Sequence, residues 1–114
     1  MTRYNRGDVI LIPFPFSDQT ASKRRPAIVV SSDNYNRVSQ DIVIMAIAGQ
    51  ITTHIGVGEL LIEDRQGAGL LKPPVVKSAV STIEQGLVIK RLGRFSSRDL
   101  STLEKSLKEL FDLR

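Results

Sequence analysis

The sequence predicts a small, mainly β fold, a barrel or sandwich, with one helix at its C-terminal end. Three observations predict it. The 114 residues fit one domain spanning 1–114, long enough to bury roughly two-thirds of its unfolded surface without staples. Short runs of branched apolar residues recur at about ten-residue spacing, parted by polar, Gly or Pro segments. In the tail the apolar spacing changes to that of a helix.

Each element has its own reason. Val9-Ile10-Leu11-Ile12 reads as the first strand, followed by Pro13-Phe14-Pro15-Phe16. Proline cannot donate to a ladder, so this end is an edge or leaves the sheet. The polar stretch 17–24 reads as a loop. Arg25 precedes Pro26, which biases it to an extended backbone, and Ala27-Ile28-Val29-Val30 follows as a buried strand ended by Ser31-Ser32-Asp33-Asn34. Residues 42–47 form a third strand and 57–63 a fourth. Gly67-Ala68-Gly69 and Pro73-Pro74 mark turns, Val75 to Val80 is strand-like, and Leu87-Val88-Ile89 makes a short strand before Lys90-Arg91-Leu92-Gly93. Leu100, Leu103, Leu107, Leu110 and Phe111 recur at helical spacing, which predicts a helix over 98–112 capped by Ser96 or Ser97, with Asp99 favourable in its first turn.

Composition excludes whole classes. Without cysteine there is no disulfide framework and no Cys-based metal site, which fits a reducing cytosol. No apolar run approaches the ~20 residues of a membrane span, and the basic N-terminus has no apolar segment of secretory type behind it. Aromatic residues, at 5%, are too few for a many-ringed base-stacking platform. The net charge of +4 is uneven. Residues 1–25 carry five cations and two acids, 26–71 two cations and five acids, 72–98 six cations and one acid, and 99–114 three cations and four acids. Two basic blocks therefore flank an acidic middle. If the fold unites them they form one positive face that suits a polyanion.

No nucleotide-binding fingerprint is present: Gly67-Ala68-Gly69 lacks a third glycine and a βα junction. The single histidine, His54, has no HExxH or Cys partners for a metal and no GxSxG elbow for a triad. The expectation is a protein with no metal and no cofactor. Lys23-Arg24-Arg25 is the densest cationic cluster, closing a loop and opening a buried strand. A guanidinium held by a following proline and a rigid strand can grip a phosphate in bidentate geometry. Arg25 is favoured over Lys23 because rigid elements hold functional groups more precisely than loops do.

These residues carry a resemblance. Gly7-Asp8-Val9, Pro13-Phe14-Pro15-Phe16-Ser17-Asp18 and Lys23-Arg24-Arg25-Pro26-Ala27-Ile28-Val29-Val30-Ser31 resemble the opening of the PemK/MazF-type toxins. Asp41-Ile42-Val43-Ile44, Ala68-Gly69-Leu70-Leu71-Lys72-Pro73-Pro74-Val75-Val76, Thr82-Ile83, Leu92-Gly93 and the terminal helix continue the pattern in order over nearly the whole chain.

The resemblance implies an SH3-like barrel of the CcdB/Kid/MazF plasmid-maintenance-toxin type with a C-terminal helix. It implies a cytoplasmic homodimer, and a metal-independent, sequence-selective endoribonuclease that is the toxin of a type II toxin–antitoxin pair. Its partners would be single-stranded RNA and a small antitoxin protein. The family's catalytic arginine falls on Arg25, to stabilise phosphate charge or act as general acid. The family's hydroxyl after the third strand falls on Ala48, so Thr52 or Thr53 would have to supply it. Asp18, Lys23 and Arg24 in or beside the loop, and Lys77 and Ser78 after the Val75-Val76 segment, would contact RNA. Two other readings stay open: a non-catalytic barrel that binds RNA or antitoxin, favoured by Ala48, and a CcdB-like toxin directed at DNA gyrase. The nuclease reading further predicts that Arg25 and Lys77 meet on one groove, lined across a dimer.

Overall fold

The computed structural model describes residues 3–13, 24–48, 55–70 and 74–114. The first apolar run forms β1 (Asp8–Pro13), and the chain after Arg24 forms β2 (Arg24–Val29). They pair antiparallel with Val9 opposite Ile28 and Ile12 opposite Arg25. The branched run forms β3 (Asp41–Ala48) against β2. The long β5 (Val75–Glu84) pairs along β3, and β4 (Leu60–Leu61) pairs with the start of β5. β6 (Lys90–Arg94) closes on the free side of β1. The order β4-β5-β3-β2-β1-β6 gives a six-stranded antiparallel sheet curled into an open half-barrel, as the mainly β prediction requires.

Alternation along the strands fills both faces. Val9, Ile28, Met45, Ile47 and Val76 point to one face, where the C-terminal helix lays down Leu100, Leu103, Leu107 and Leu110. Ile10, Ile12, Ala27, Val29, Ile42 and Ile44 point to the other and are covered by Tyr4, Ile83 and Val88. The helix (Ser97–Phe111) matches its predicted range within a residue at each end. Ser96 caps it by accepting from the Asp99 amide, and Asp112 ends it in the left-handed conformation, where Leu113 donates back to the Lys108 carbonyl. Asp99 does more than favour the dipole: it is buried, and its two oxygens accept from the Glu63 and Asp64 amides at 3.0 and 2.9 Å.

Three elements differ from expectation. Ser31-Ser32-Asp33-Asn34 ends β2, but Ser32 then caps a short helix, Asp33–Val38. Buried Asn36 in that helix bonds to Ser31, and Gln85 reaches its carbonyl and that of Ser39. The same Gln85 bends the chain into a 3₁₀ turn at Gln85–Leu87, so the predicted strand at 87–89 is instead a turn and β6 begins at Lys90. The fourth strand shrinks to two residues because Gly58, at φ +79°, sits directly over Leu110 of the terminal helix. The close approach demands glycine there and bends the backbone out of strand geometry.

The glycines at 67–69 have a packing reason. Gly69, at φ +75°, and Gly93 of β6 leave no room for a Cβ: each would collide with backbone, of Leu92 and of the 67–68 segment respectively. Arg94 donates to the Gly67 carbonyl in the same contact. This turn therefore clamps the β6 edge.

Candidate functional site

Arg24 and Arg25 open β2, and Pro26 holds them at the end of a rigid strand. Parity separates them. Arg25 projects to the side of Ala27 and Val29, and Arg24 to the side of Ile28. Both are exposed. The register that sets Ala27 opposite Ala46, carried two residues further, sets Ala48 opposite Arg25. Ala48 in turn pairs with Val75 of β5. The register position across from Arg25 on β3 therefore carries a methyl group and no hydroxyl.

Val76 shares the Ile47 face, so Val75 and Lys77 project to the Arg25 face. β2 and β5 are separated only by β3, about 10 Å in two strand spacings. Between the Ile47–Val76 and Met45–Val80 pairs, β5 spends three residues, Lys77 to Ala79, against the single Ala46. The bulge begins just after Val76: Lys77 still stands across from Glu59 at the position next to the Leu60–Val76 pair, and the exposed Ser78 leaves the regular ladder. Lys77 forms an ion pair with Glu59, Nζ to Oε2 3.1 Å, at side-chain exposures of 37% and 16%. The other Glu59 oxygen accepts from the Gly56 amide at 2.9 Å. The Gly56 bond and then Lys77 hold the Glu59 carboxyl below its ordinary value of 4.5.

At the far edge, Asp8 is 1% exposed. One of its oxygens accepts from the Asn5 amide, while Oδ1 has no hydrogen-bond partner among the described residues. Arg91 and Arg94 of β6 stand 3.8 and 3.7 Å from Oδ1, each more than half exposed. Arg98 is drawn to Glu63 at 2.8 Å.

The second basic block is therefore divided. Lys77 lies on the β5 side of Arg25, Arg91 and Arg94 gather over Asp8 two strands away on the other side of β2, at positions opposite Ile10 and Asp8 that share the Arg25 face by parity, and Lys90, opposite Leu11, points to the other face. Of the predicted site residues, Arg25 and Lys77 share a face, Ser78 lies in the bulge, and Arg24 points away. Asp18, Lys23, Thr52 and Thr53 lie outside the described residues. Glu59 was not among the sequence candidates; only the Leu60–Val76 register brings it across from Lys77. Among the described residues no three or more His, Asp or Glu side chains converge as metal ligands, and no helix is long and apolar enough to cross a membrane. A cavity of about 430 Å³ lined by Tyr4, Gln40, Glu84 and Gln85 lies at the other end of the strands from Arg25.

A family model for the PemK-like, MazF-like toxin of type II toxin-antitoxin systems matches residues 5–111. Comparison with curated protein sequences gives no match. Among solved structures, MazE-MazF from Deinococcus radiodurans superposes with a TM-score of 0.77 at 16% identity, over 99% of this chain and 100% of that one. An endoribonuclease in complex with its cognate antitoxin from a mycobacterial species gives 0.75 at 16% identity, over 100% and 98%. The Mycobacterium tuberculosis toxin MazF-mt6 gives 0.72 at 17%, over 96% and 99%.

Proposed function

The chain belongs to the PemK/MazF-like toxin family of type II toxin–antitoxin systems, a family of endoribonucleases, and from that premise we propose that it is a single-domain toxin that cleaves single-stranded RNA sequence-selectively and without a metal ion. The observation that carries the reading is the exposed Arg25 at the head of a rigid strand, sharing its sheet face with Lys77.

The reaction is internal transesterification. The RNA 2′-oxygen loses its proton to a base and attacks the adjacent phosphorus. A P–O2′ bond forms, the P–O5′ bond breaks, and the departing 5′-oxygen takes a proton. The products are a 2′,3′-cyclic phosphate and a 5′-hydroxyl. Charge builds on the phosphoryl oxygens in the transition state. A guanidinium suits that task, since it is always protonated and offers several donors in a fixed fork. Arg25 takes this role. Lys77 adds a point charge to a neighbouring phosphate and Ser78 a polar contact. Arg24, on the opposite side of β2, contributes to the RNA-attracting field. Asp18 and Lys23 flank Arg25 in sequence and position RNA, and Thr52 or Thr53 supplies the hydroxyl that Ala48 lacks.

A small antitoxin is the regulatory partner, as the toxin–antitoxin complexes among the structural neighbours suggest. The chain works in the cytoplasm as a homodimer, to which the exposed Ile55, Val57 and Phe111 offer apolar surface. The test is incubation with mixed single-stranded RNA in EDTA beside Arg25→Ala. Discrete cleavage by the wild type and its loss by ~10²–10³-fold in the variant support the reading; equal cleavage by both overturns it.

Ala48 opposite Arg25 favours one second reading, a barrel that binds RNA or antitoxin without cutting. Salt-sensitive RNA binding with no cleavage at any protein excess would establish that reading instead. The gyrase-directed reading gives no work to the Arg25–Lys77 face.

A further inference from the structure

We propose that Glu59 is a positioning residue that holds the Lys77 ammonium on the Arg25 face, making Lys77 a preset second phosphate site for the RNA backbone. The inference rests on the RNA reading above and adds a residue to it.

The register puts the two side chains together. Leu60 pairs with Val76, so Glu59 and Lys77 stand opposite one another at the next position and project to the same face. The carboxylate is held at two points. Oε1 accepts from the Gly56 amide at 2.9 Å and Oε2 from Lys77 at 3.1 Å. With one oxygen tied to the backbone, the carboxylate does not follow the lysine about; the lysine comes to it. An untethered lysine has four rotatable bonds and sweeps a wide volume. Here its head is fixed beside the bulge that begins at Lys77, on a strand one removed from Arg25.

The pairing leaves the ammonium usable. Three N–H donors are available and Glu59 occupies one direction. Lys77 remains 37% exposed, and Glu59, at 16%, lies deeper. A phosphate approaching from solvent meets the ammonium before the carboxylate. The low titration of Glu59, set first by the Gly56 amide, is consistent with a carboxylate that stays charged throughout the neutral range. The Ala48 methyl at the register position across from Arg25 makes this second grip useful: Ala48 itself brings no hydroxyl to the guanidinium, and a second fixed contact on the same face helps orient the backbone.

The competing idea is that Glu59 merely cancels the lysine charge. The two differ in sign. The probe is a 2′-O-methyl RNA oligonucleotide, which cannot be cut, titrated against wild type, Lys77→Ala, Glu59→Ala, Glu59→Gln and the Lys77→Ala/Glu59→Ala pair, each over a range of salt. Positioning predicts that Lys77→Ala weakens binding about three- to tenfold and lowers the salt slope by about one. Glu59→Ala weakens binding severalfold but keeps the slope, because the lysine charge is still there. Glu59→Gln, which keeps an acceptor for Gly56, falls between, and the double variant is no weaker than Lys77→Ala alone. A purely structural role for Glu59 would not show this coupling. Tighter binding by Glu59→Ala, or no effect of Lys77→Ala, overturns the inference while leaving the RNA reading intact. Absence of RNA binding by the wild type overturns both.

Discussion

The two ends of the sheet are finished in opposite ways. At the β6 end the carboxylate is buried and the cations are outside: Asp8 is sealed beneath Arg91 and Arg94, with one oxygen lacking a hydrogen bond among the described residues and both guanidinium contacts to it long. A backbone-to-backbone clamp from Gly67–Gly69 fixes the edge. At the β4 end the strand is two residues long, the carboxylate is close to the surface, and a single short ion pair is its most definite polar feature. A buried charge is costly to leave without compensation, so the cations above Asp8 have work to do in the folded state before any ligand arrives. Lys77 is under no such demand. The lesson is that a count of basic residues overstates the polyanion surface: arginines tied to a buried carboxylate serve the edge, and the lysine held by an anchored, less exposed glutamate is left facing the Arg25 side.

This contrast can be broken by mutation, and the largest effect belongs to the β6 clamp. Gly69→Ala must force a side chain into backbone at a positive φ, and is expected to cost ~3 kcal/mol or more, seen as a lowered denaturant midpoint at unchanged slope. Next comes Asp8→Ala, which strips the buried acceptor from the Asn5 amide and the partner from both arginines; a loss of ~1–3 kcal/mol in chemical denaturation is expected, with RNA affinity kept if the protein stays folded. If Asp8→Ala is as stable as the wild type, the two ends are not different in kind.

Smaller effects test the β4 end. Glu59→Gln is expected to lower the thermal midpoint at neutral pH only slightly, as is usual for a pair in contact with solvent. Its signature is in acid. The folded-state pKa of Glu59 lies below 4.5, so the pair contributes stability above that value and loses it as pH falls through the lower, folded-state pKa. The difference in thermal midpoint between wild type and Glu59→Gln should therefore be constant above about pH 5 and shrink below it. A difference that grows toward acid would reverse the assignment.

How much of this was legible beforehand depends on whether a feature is local. The terminal helix was, because five apolar residues at helical spacing and a serine cap sit in one stretch of chain. Arg25 at a strand head was, because Pro26 restricts its predecessor and the branched run follows at once. The short helix at Asp33–Val38 was missed although Ser32 is a good cap, because its buried face is polar: Asn36 is held by Ser31 and Gln85 and gives no apolar rhythm. The fourth strand was overestimated, since nothing near Gly58 in sequence announces Leu110 beneath it. Which cations join Arg25 is decided by strand order and register, and these put β5 and β6 on opposite sides of β2. Glu59 and Asp8 were illegible for the same reason: each is one acid in a polar or turn-rich stretch until pairing supplies its partner.

The central claim is that the Arg25 face carries out 2′-hydroxyl chemistry on RNA. The most direct measurement maps a cut site in a single-stranded oligoribonucleotide, then repeats the digestion in EDTA with a twin bearing 2′-deoxyribose at the nucleotide that supplies the attacking oxygen, using wild type and folded Arg25→Ala. The account predicts a 2′,3′-cyclic phosphate and a 5′-hydroxyl from the wild type on the all-ribose strand, no cut at that position in the twin, and loss of cutting in Arg25→Ala. Cleavage of the twin at the same bond, or undiminished cleavage by Arg25→Ala, would contradict it.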